Sequence, residues 1–535
     1  MKRYRVRSII CAVALTALLS GCSMEELLQK REVSREEVPL PHSDQRYDLE
    51  PIRKMAEQLQ ETKLLANADT QMREEISAIL DEVNNAYAVY AHANMDFYAD
   101  WNNTELSELS DETYADYCAA DEIATWAFCN ACKDSDYDDL LDPYVEQDWL
   151  PYYISNNLNR VVSRAREDAA ASGELLNDYY ATAYDENVDP DDPAETNLSC
   201  AQLYLKNLES YDTSQYLYDY YMRDFTAEEA SAMYHNLIET MKPLFEDLKA
   251  YVINDPRYDD LKEGGMALDD PYATLQVYAP KLSSSIAESV KQLFSGPYYR
   301  AAKGTDSYDG SYTVTLPGEK TAIMYTYLAG DYYDLTTVVH EFGHFNADWR
   351  DQTPVYLTKN CIDLAEVQSQ SMEMLFTSFY DDIYGSEADY LEALALYNIM
   401  DSVISGFAVG EFEYRVMQDL ENISPQDVCD IFDEIMEEAG LSSQLYQITH
   451  LYEQPGYYIS YGVSALASMQ IYAAMQEDFS QAIIMYTNIS AISSKSGDYQ
   501  FLEALASSGF DNIFDESSLE AVVESVSARL TPVID

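Results

Sequence analysis

Basic side chains are scarce in this sequence: 32 Lys and Arg stand against 95 Asp and Glu in 535 residues, a formal charge of −63. A surface so negative repels phosphate backbones and anionic headgroups, which argues against nucleic-acid binding. It leaves cationic or neutral ligands, or plain solubility, as its consequence. Histidine is scarcer still, with six in the chain. Long apolar runs are missing beyond the N-terminus. The longest uncharged stretch, Gln454 to Gln476, is rich in Ser, Tyr, Gln and Gly and fits a buried helix better than a lipid-facing one. Structural metal patterns are lacking too. Cys129-Asn-Ala-Cys132 has no second pair at zinc-finger spacing, and Cys118, Cys129, Cys132 and Cys200 read as core residues with one bridge at most. The acidic run DSDYDD (134–139) has neither the glycine nor the spaced glutamate of a calcium-binding EF-hand; with DENVDPDDPAE (185–195) it reads as solvated loop. No internal repeat is visible.

What is present begins at the N-terminus. Lys2, Arg3, Arg5 and Arg7 precede an apolar stretch from Ile9 to Leu19, which is too short to span a bilayer and has signal-peptide proportions. Leu19-Ser20-Gly21-Cys22 resembles the bacterial lipobox, in which the cysteine is lipidated and becomes the new N-terminus. The expectation is a signal peptide over 1–21, a lipid on Cys22, a polar tether over 22–50, and an extracytoplasmic protein anchored to the cell membrane. With 47% hydrophobic and 24% charged residues the remainder is globular in composition. Apolar residues at three- and four-residue spacing predict a helical region over 51–250, and the motifs below fall in 251–535.

One stretch reads as strand. SYTVTL (Ser311–Leu316) alternates, Pro317-Gly318 turns, and TAIMYTYL (Thr321–Leu328) returns, predicting a hairpin whose free edge suits an extended peptide. Directly after it, LTTVVHEFGHFNADW (335–349) places His340 and His344 one helical turn apart on one face, able to share a metal ion, with Glu341 beside them as a base. A catalytic zinc takes three protein ligands and keeps one position open. CIDLAEVQSQSMEMLF (361–376) supplies Glu366 as a candidate third ligand after a loop and a returning helix, with Asp363 and Glu373 as other options.

HEFGH followed by DLAEVQSQSME resembles the zinc metallopeptidases of the thimet oligopeptidase and oligoendopeptidase F family, and the match puts Glu366 on the metal. YLAGDYYDLTTVVHEFGH is similar to that family's strand, loop and active-site helix, and THLYEQPGYYISYGVSALA (449–467) to its C-terminal histidine, loop and tyrosines. Aligned on Tyr-x-x-Tyr, His450, Tyr458 and Tyr461 take the catalytic positions, with Tyr457 a possible substitute for one tyrosine and Tyr452 assigned to loop packing. The likeness spans roughly 250–535. The chain departs from it at Phe345-Asn346-Ala347-Asp348, where family members often carry a further histidine.

The resemblance implies an all-α clamshell with a deep channel and a small hairpin beside the zinc helix. It further implies one Zn²⁺ per chain on His340, His344 and Glu366, with Glu341 as general base; Glu373, two turns past Glu366 on the same helix, is a candidate to hold a zinc histidine from behind. Tyr458 or Tyr461, assisted by His450, would donate to the oxyanion. The expected protein is a monomeric endopeptidase for short unfolded peptides. A non-catalytic peptide-binding lipoprotein on the same fold is the alternative.

Overall fold

The computed structural model describes residues 45–534 except 134–136, 148, 172–173, 185–187, 189–191, 210–217 and 360. The expected signal peptide, Cys22 and most of the expected tether lie outside the described residues, as do parts of the two acidic stretches. Among the described residues the fold is mainly helical, 73% helix with a single three-stranded sheet.

The first helices follow the expected periodicity. Glu50–Thr62 buries Ile52, Ala56, Leu59 and Thr62, a stripe three and four residues apart, against the long helices Asp69–Ala99 and Thr104–Cys132. The Asn103 side chain caps the last of these by accepting from the amides of Glu105 and Leu106. Together with Leu158–Ala171 these helices build one apolar core. A second, larger core runs from Tyr179 to Leu530 and contains both metal-motif helices. Tyr179, Tyr204, Met233 and Leu248 therefore share a core with the region that carries the site.

The sheet lies between the two cores. Its order is β1 (Tyr299–Ala302), β3 (Thr321–Tyr327), β2 (Tyr312–Leu316), with β1 parallel and β2 antiparallel to β3. The hairpin register pairs Tyr312 with Tyr325 and Leu316 with Thr321, and Pro317–Glu319 forms the turn. Alternation along β3 sends Ala322 and Met324 into the larger core and Ile323 and Tyr325 into the smaller. A strand covered on both faces reads as a near-continuous apolar run, as TAIMYTY does. β1 was not foreseen: four residues, YRAA, carry too little pattern to announce a strand.

Downstream, Tyr333–Asp348 (the HEFGH helix) packs on β2 and β3 and on Ile362–Phe376 (the Glu366 helix). The Glu366 helix in turn packs on Ile459–Glu477 (the tyrosine helix), which the long helix Ala388–Gln418 also contacts. The uncharged run is thus a core helix, buried continuously from Gly462 to Tyr472. Of the described residues, Ile362–Gln418 is long and apolar enough to cross a bilayer, but 78% of its apolar window is buried inside the protein. Cys200, Cys361 and Cys429, all buried, form no disulfide bridge.

Candidate metal centre and its surroundings

Two helices must approach closely for a ligand on one to reach ligands on the other. Gly343, the glycine of HEFGH, permits this approach. A Cβ there would sit 2.6 Å from the Ser369 Cα and 2.8 Å from the Gln368 carbonyl. With that space free, His340, His344 and Glu366 bring one donor atom each within 4.8 Å of one another. The Nε2 atoms of His340 and His344 lie 3.5 Å and 3.7 Å from Glu366 Oε2.

Neither Nε2 has a hydrogen-bond partner, although both side chains are buried. An unsatisfied buried polar atom costs about 1–3 kcal/mol. Two of them facing one carboxylate form a donor set that a divalent cation satisfies, and two imidazoles with a carboxylate suit zinc. The residues therefore fit the implied metal. Burial lowers the His344 pKa to about 4, leaving its lone pair available at neutral pH. Burial alone would raise the Glu366 pKa, but the neighbouring imidazoles outweigh it and draw it down to about 2, so this carboxylate is ionised.

The options left open on the Glu366 helix separate by the partners they meet. Glu373 lies seven residues past Glu366, just under two turns, so the two share a face and bracket His340. Glu373 Oε1 is 2.6 Å from His340 Nδ1 while Glu366 addresses Nε2. Asp363 turns away and pairs with Arg223, both side chains fully buried. Glu341, wholly buried, accepts a 2.8 Å hydrogen bond on Oε2 from the Thr313 hydroxyl of β2. The hairpin thereby reaches the candidate base, a role for Thr313 that nothing in SYTVTL announces.

The C-terminal segment closes over Glu366. Gly456, at φ +79°, turns the chain, and Tyr457 donates to Glu366 Oε1 at 3.1 Å. Tyr461 Oη lies 3.3 Å from His450 Nε2, and the His450 ring stacks on Tyr457 with centroids 4.9 Å apart. Burial lowers the His450 pKa to about 4, so it is a neutral imidazole. Burial, then neighbouring charge, holds the Tyr457 and Tyr461 hydroxyls well above their usual range, so both remain protonated donors. Tyr458 packs edge-on against His450 and Tyr461, and its hydroxyl is placed near Ser405 and the Asp401 carboxylate. Tyr452 stacks on Tyr179 at 3.8 Å, the packing role expected of it. At the departure after HEFGH, Asn346 accepts from Ser289 at 2.7 Å and Asp348 pairs with Lys495, so both residues anchor the helix.

No protein-family model and no curated protein matches the sequence. Solved structures do. PZ peptidase A in complex with an inhibitor aligns with a TM-score of 0.71 at 14% identity, over 92% of this chain and 99% of that one. A protein provisionally assigned as an oligoendopeptidase F from Bacillus anthracis aligns at 0.69 with 15% identity, over 91% and 97% of the two chains. An oligoendopeptidase F from Enterococcus faecium aligns at 0.51 with 12% identity, over 90% and 97%. At such identities the likeness is one of architecture, and over almost its whole length this chain has the fold of those proteins.

Proposed function

We propose that this chain is a zinc-dependent endopeptidase acting on short, unfolded peptides outside the cytoplasm, tethered to the membrane by a lipid on Cys22. The observation that carries the reading is the convergence of two buried, unbonded imidazole nitrogens on the Glu366 carboxylate, with Glu373 behind one of them. The likeness of fold to peptidases and the HEFGH helix support it further.

His340, His344 and Glu366 would hold one zinc ion. When bound, zinc lowers the pKa of water towards 7 and polarises a carbonyl. Glu341 accepts the proton of the attacking water and passes it to the departing amine. Thr313 fixes that carboxylate by donating to Oε2. Tyr461 and its neighbour Tyr458 or Tyr457 supply hydroxyl donors for the oxyanion, and a donor of this kind is worth about 3 kcal/mol. His450, neutral and next to the Tyr461 hydroxyl, orients it. A monomer with a channel between its two helical bodies would admit short chains and exclude folded proteins.

Cleavage of quenched peptides from four to thirty residues, by native protein and a Glu341→Gln variant, tests the reading. Cutting by the native protein alone, fading with peptide length, is the expected result. Peptide binding without cutting in either protein would favour the non-catalytic binding lipoprotein.

A further inference from the structure

Arg223 lies outside every motif described above, yet its side chain is fully buried and reaches both segments that build the site. Its Nε and Nη2 donate to the two Asp363 oxygens at 2.8 and 3.1 Å. Nη1 donates to the Gly456 carbonyl at 2.8 Å, and Nη2 also to Ser460 Oγ at 2.9 Å. Asp363 stands one turn before Glu366 on the same helix. Gly456 directly precedes Tyr457, and Ser460 directly precedes Tyr461. One guanidinium therefore joins the start of the metal-ligand helix to both ends of the tyrosine segment.

Its surroundings hold it there. The guanidinium carbon lies 4.7 Å from the Tyr221 ring centroid and 5.0 Å from that of Tyr218. Met222 adopts φ +60°, a left-handed conformation that a side chain takes only under constraint. Asp224 accepts from the amides of Leu502 and Glu503 at 2.7 and 3.0 Å, pinning the turn on its far side. Glu413 accepts from the Gly456 amide at 2.8 Å, so the peptide groups of this glycine are held at both N–H and C=O. A planar fork with several donors can bridge three acceptors at once, which lysine cannot do.

We propose that Arg223 is a positioning residue for the reaction proposed above, on which this inference rests. It fixes the distance between the Glu366 carboxylate and the Tyr457 and Tyr461 hydroxyls, and so sets kcat without touching metal or peptide. The Ser460 and Gly456 contacts carry this role, and Asp363 anchors it to the metal-ligand helix.

The test compares native protein, Ser460→Ala and the apolar double variant Arg223→Met/Asp363→Leu, each with and without Tyr461→Phe. Replacing both members of a buried ion pair by apolar groups is often neutral for folding, so the double variant separates positioning from stability. Bound zinc, thermal midpoint, kcat, KM and deuterium uptake of residues 450–461 are measured. The double variant is expected to keep its zinc and its cooperative unfolding. Misplacement on the ångström scale should lower its kcat by about 100-fold, with KM within about threefold of native. Uptake across 450–461 should rise. Tyr461→Phe should cost about 100-fold in the native background and nothing further in the double variant.

The inference is overturned if kcat in the double variant stays within about twofold of native, or if Tyr461→Phe keeps its full cost there. Loss of zinc at an unchanged thermal midpoint also overturns it, since the pair would then act on Glu366 alone. Should the double variant not fold, Ser460→Ala decides: a fall in kcat with faster uptake upholds the role, and unchanged values refute it. If native protein binds zinc and cuts no peptide, the peptidase reading has failed, and uptake alone decides. Faster exchange at 450–461 then sustains the positioning role, and unchanged exchange ends it.

Discussion

Replacing Glu373 should weaken zinc binding at the proposed site while leaving its three candidate ligands, His340, His344 and Glu366, in place. Its Oε1 lies 2.6 Å from His340 Nδ1, and the side chain keeps 19% of its exposure, so the pair is largely but not wholly shielded. A proton on Nδ1 facing that carboxylate leaves Nε2 as the lone pair directed at Glu366, which fixes both tautomer and ring orientation. A hydrogen bond to a charged group contributes about 1.5–3 kcal/mol, and partners of this type change metal affinity about 10- to 100-fold, so the two scales agree. Glu373→Gln keeps an acceptor and loses the charge, and should weaken zinc about 10-fold; Glu373→Leu should weaken it about 100-fold. Competition against a zinc-chelating dye at fixed pH measures both. A dissociation constant for the leucine variant within about twofold of native would refute the argument that this carboxylate tunes His340.

Thr313→Val conserves shape but removes the donor to Glu341, and should lower kcat about 10-fold or more with zinc content unchanged, read by single-substrate kinetics beside metal analysis. Gly343→Ala places a methyl 2.6 Å from the Ser369 Cα. It should cost about 1–3 kcal/mol in stability and spread the two ligand helices, so thermal midpoint and zinc affinity fall together. Burial pushes the Glu122 pKa up to about 7 from 4.5. A carboxyl raised in the folded state gives stability that is complete below 4.5 and is lost as pH climbs through 7. At about 1.4 kcal/mol per unit, ionised Glu122 costs about 3 kcal/mol at pH 8. Glu122→Gln, which retains an acceptor for Tyr153, should therefore raise the thermal midpoint at pH 8, leave it nearly unchanged at pH 5, and flatten the profile between them.

The parts of the site that sequence makes legible are those governed by helical periodicity. His340 and His344 share a face because they are four residues apart, and Glu366 and Glu373 share one because they are seven apart. Asp363, three residues before Glu366, is not set apart by helical spacing, and only the structure shows that it goes to Arg223. Its partner, Arg223, is 140 residues away and belongs to no pattern. Tyr457 illustrates a different limit. It precedes the helix that begins at Ile459, directly after the left-handed Gly456, so helical spacing says nothing of where its hydroxyl points. An alignment on Tyr-x-x-Tyr puts Tyr458 first with Tyr457 as a substitute, and the structure adds that the Tyr457 hydroxyl meets Glu366. The hairpin is legible from its alternation and its Pro-Gly turn. The link from Thr313 to Glu341 depends on how the sheet lies on the HEFGH helix, which is tertiary information.

Metal content and turnover, measured on one preparation of native protein and one of Glu341→Gln, decide the matter. The expected result is one zinc per chain in both, peptide cleavage in the native protein alone, and loss and recovery of that cleavage as zinc is stripped and returned. Zinc-free native protein that cannot be loaded, or a Glu341→Gln variant that cuts peptides at the native rate, would contradict the assignment of this constellation as a zinc peptidase centre.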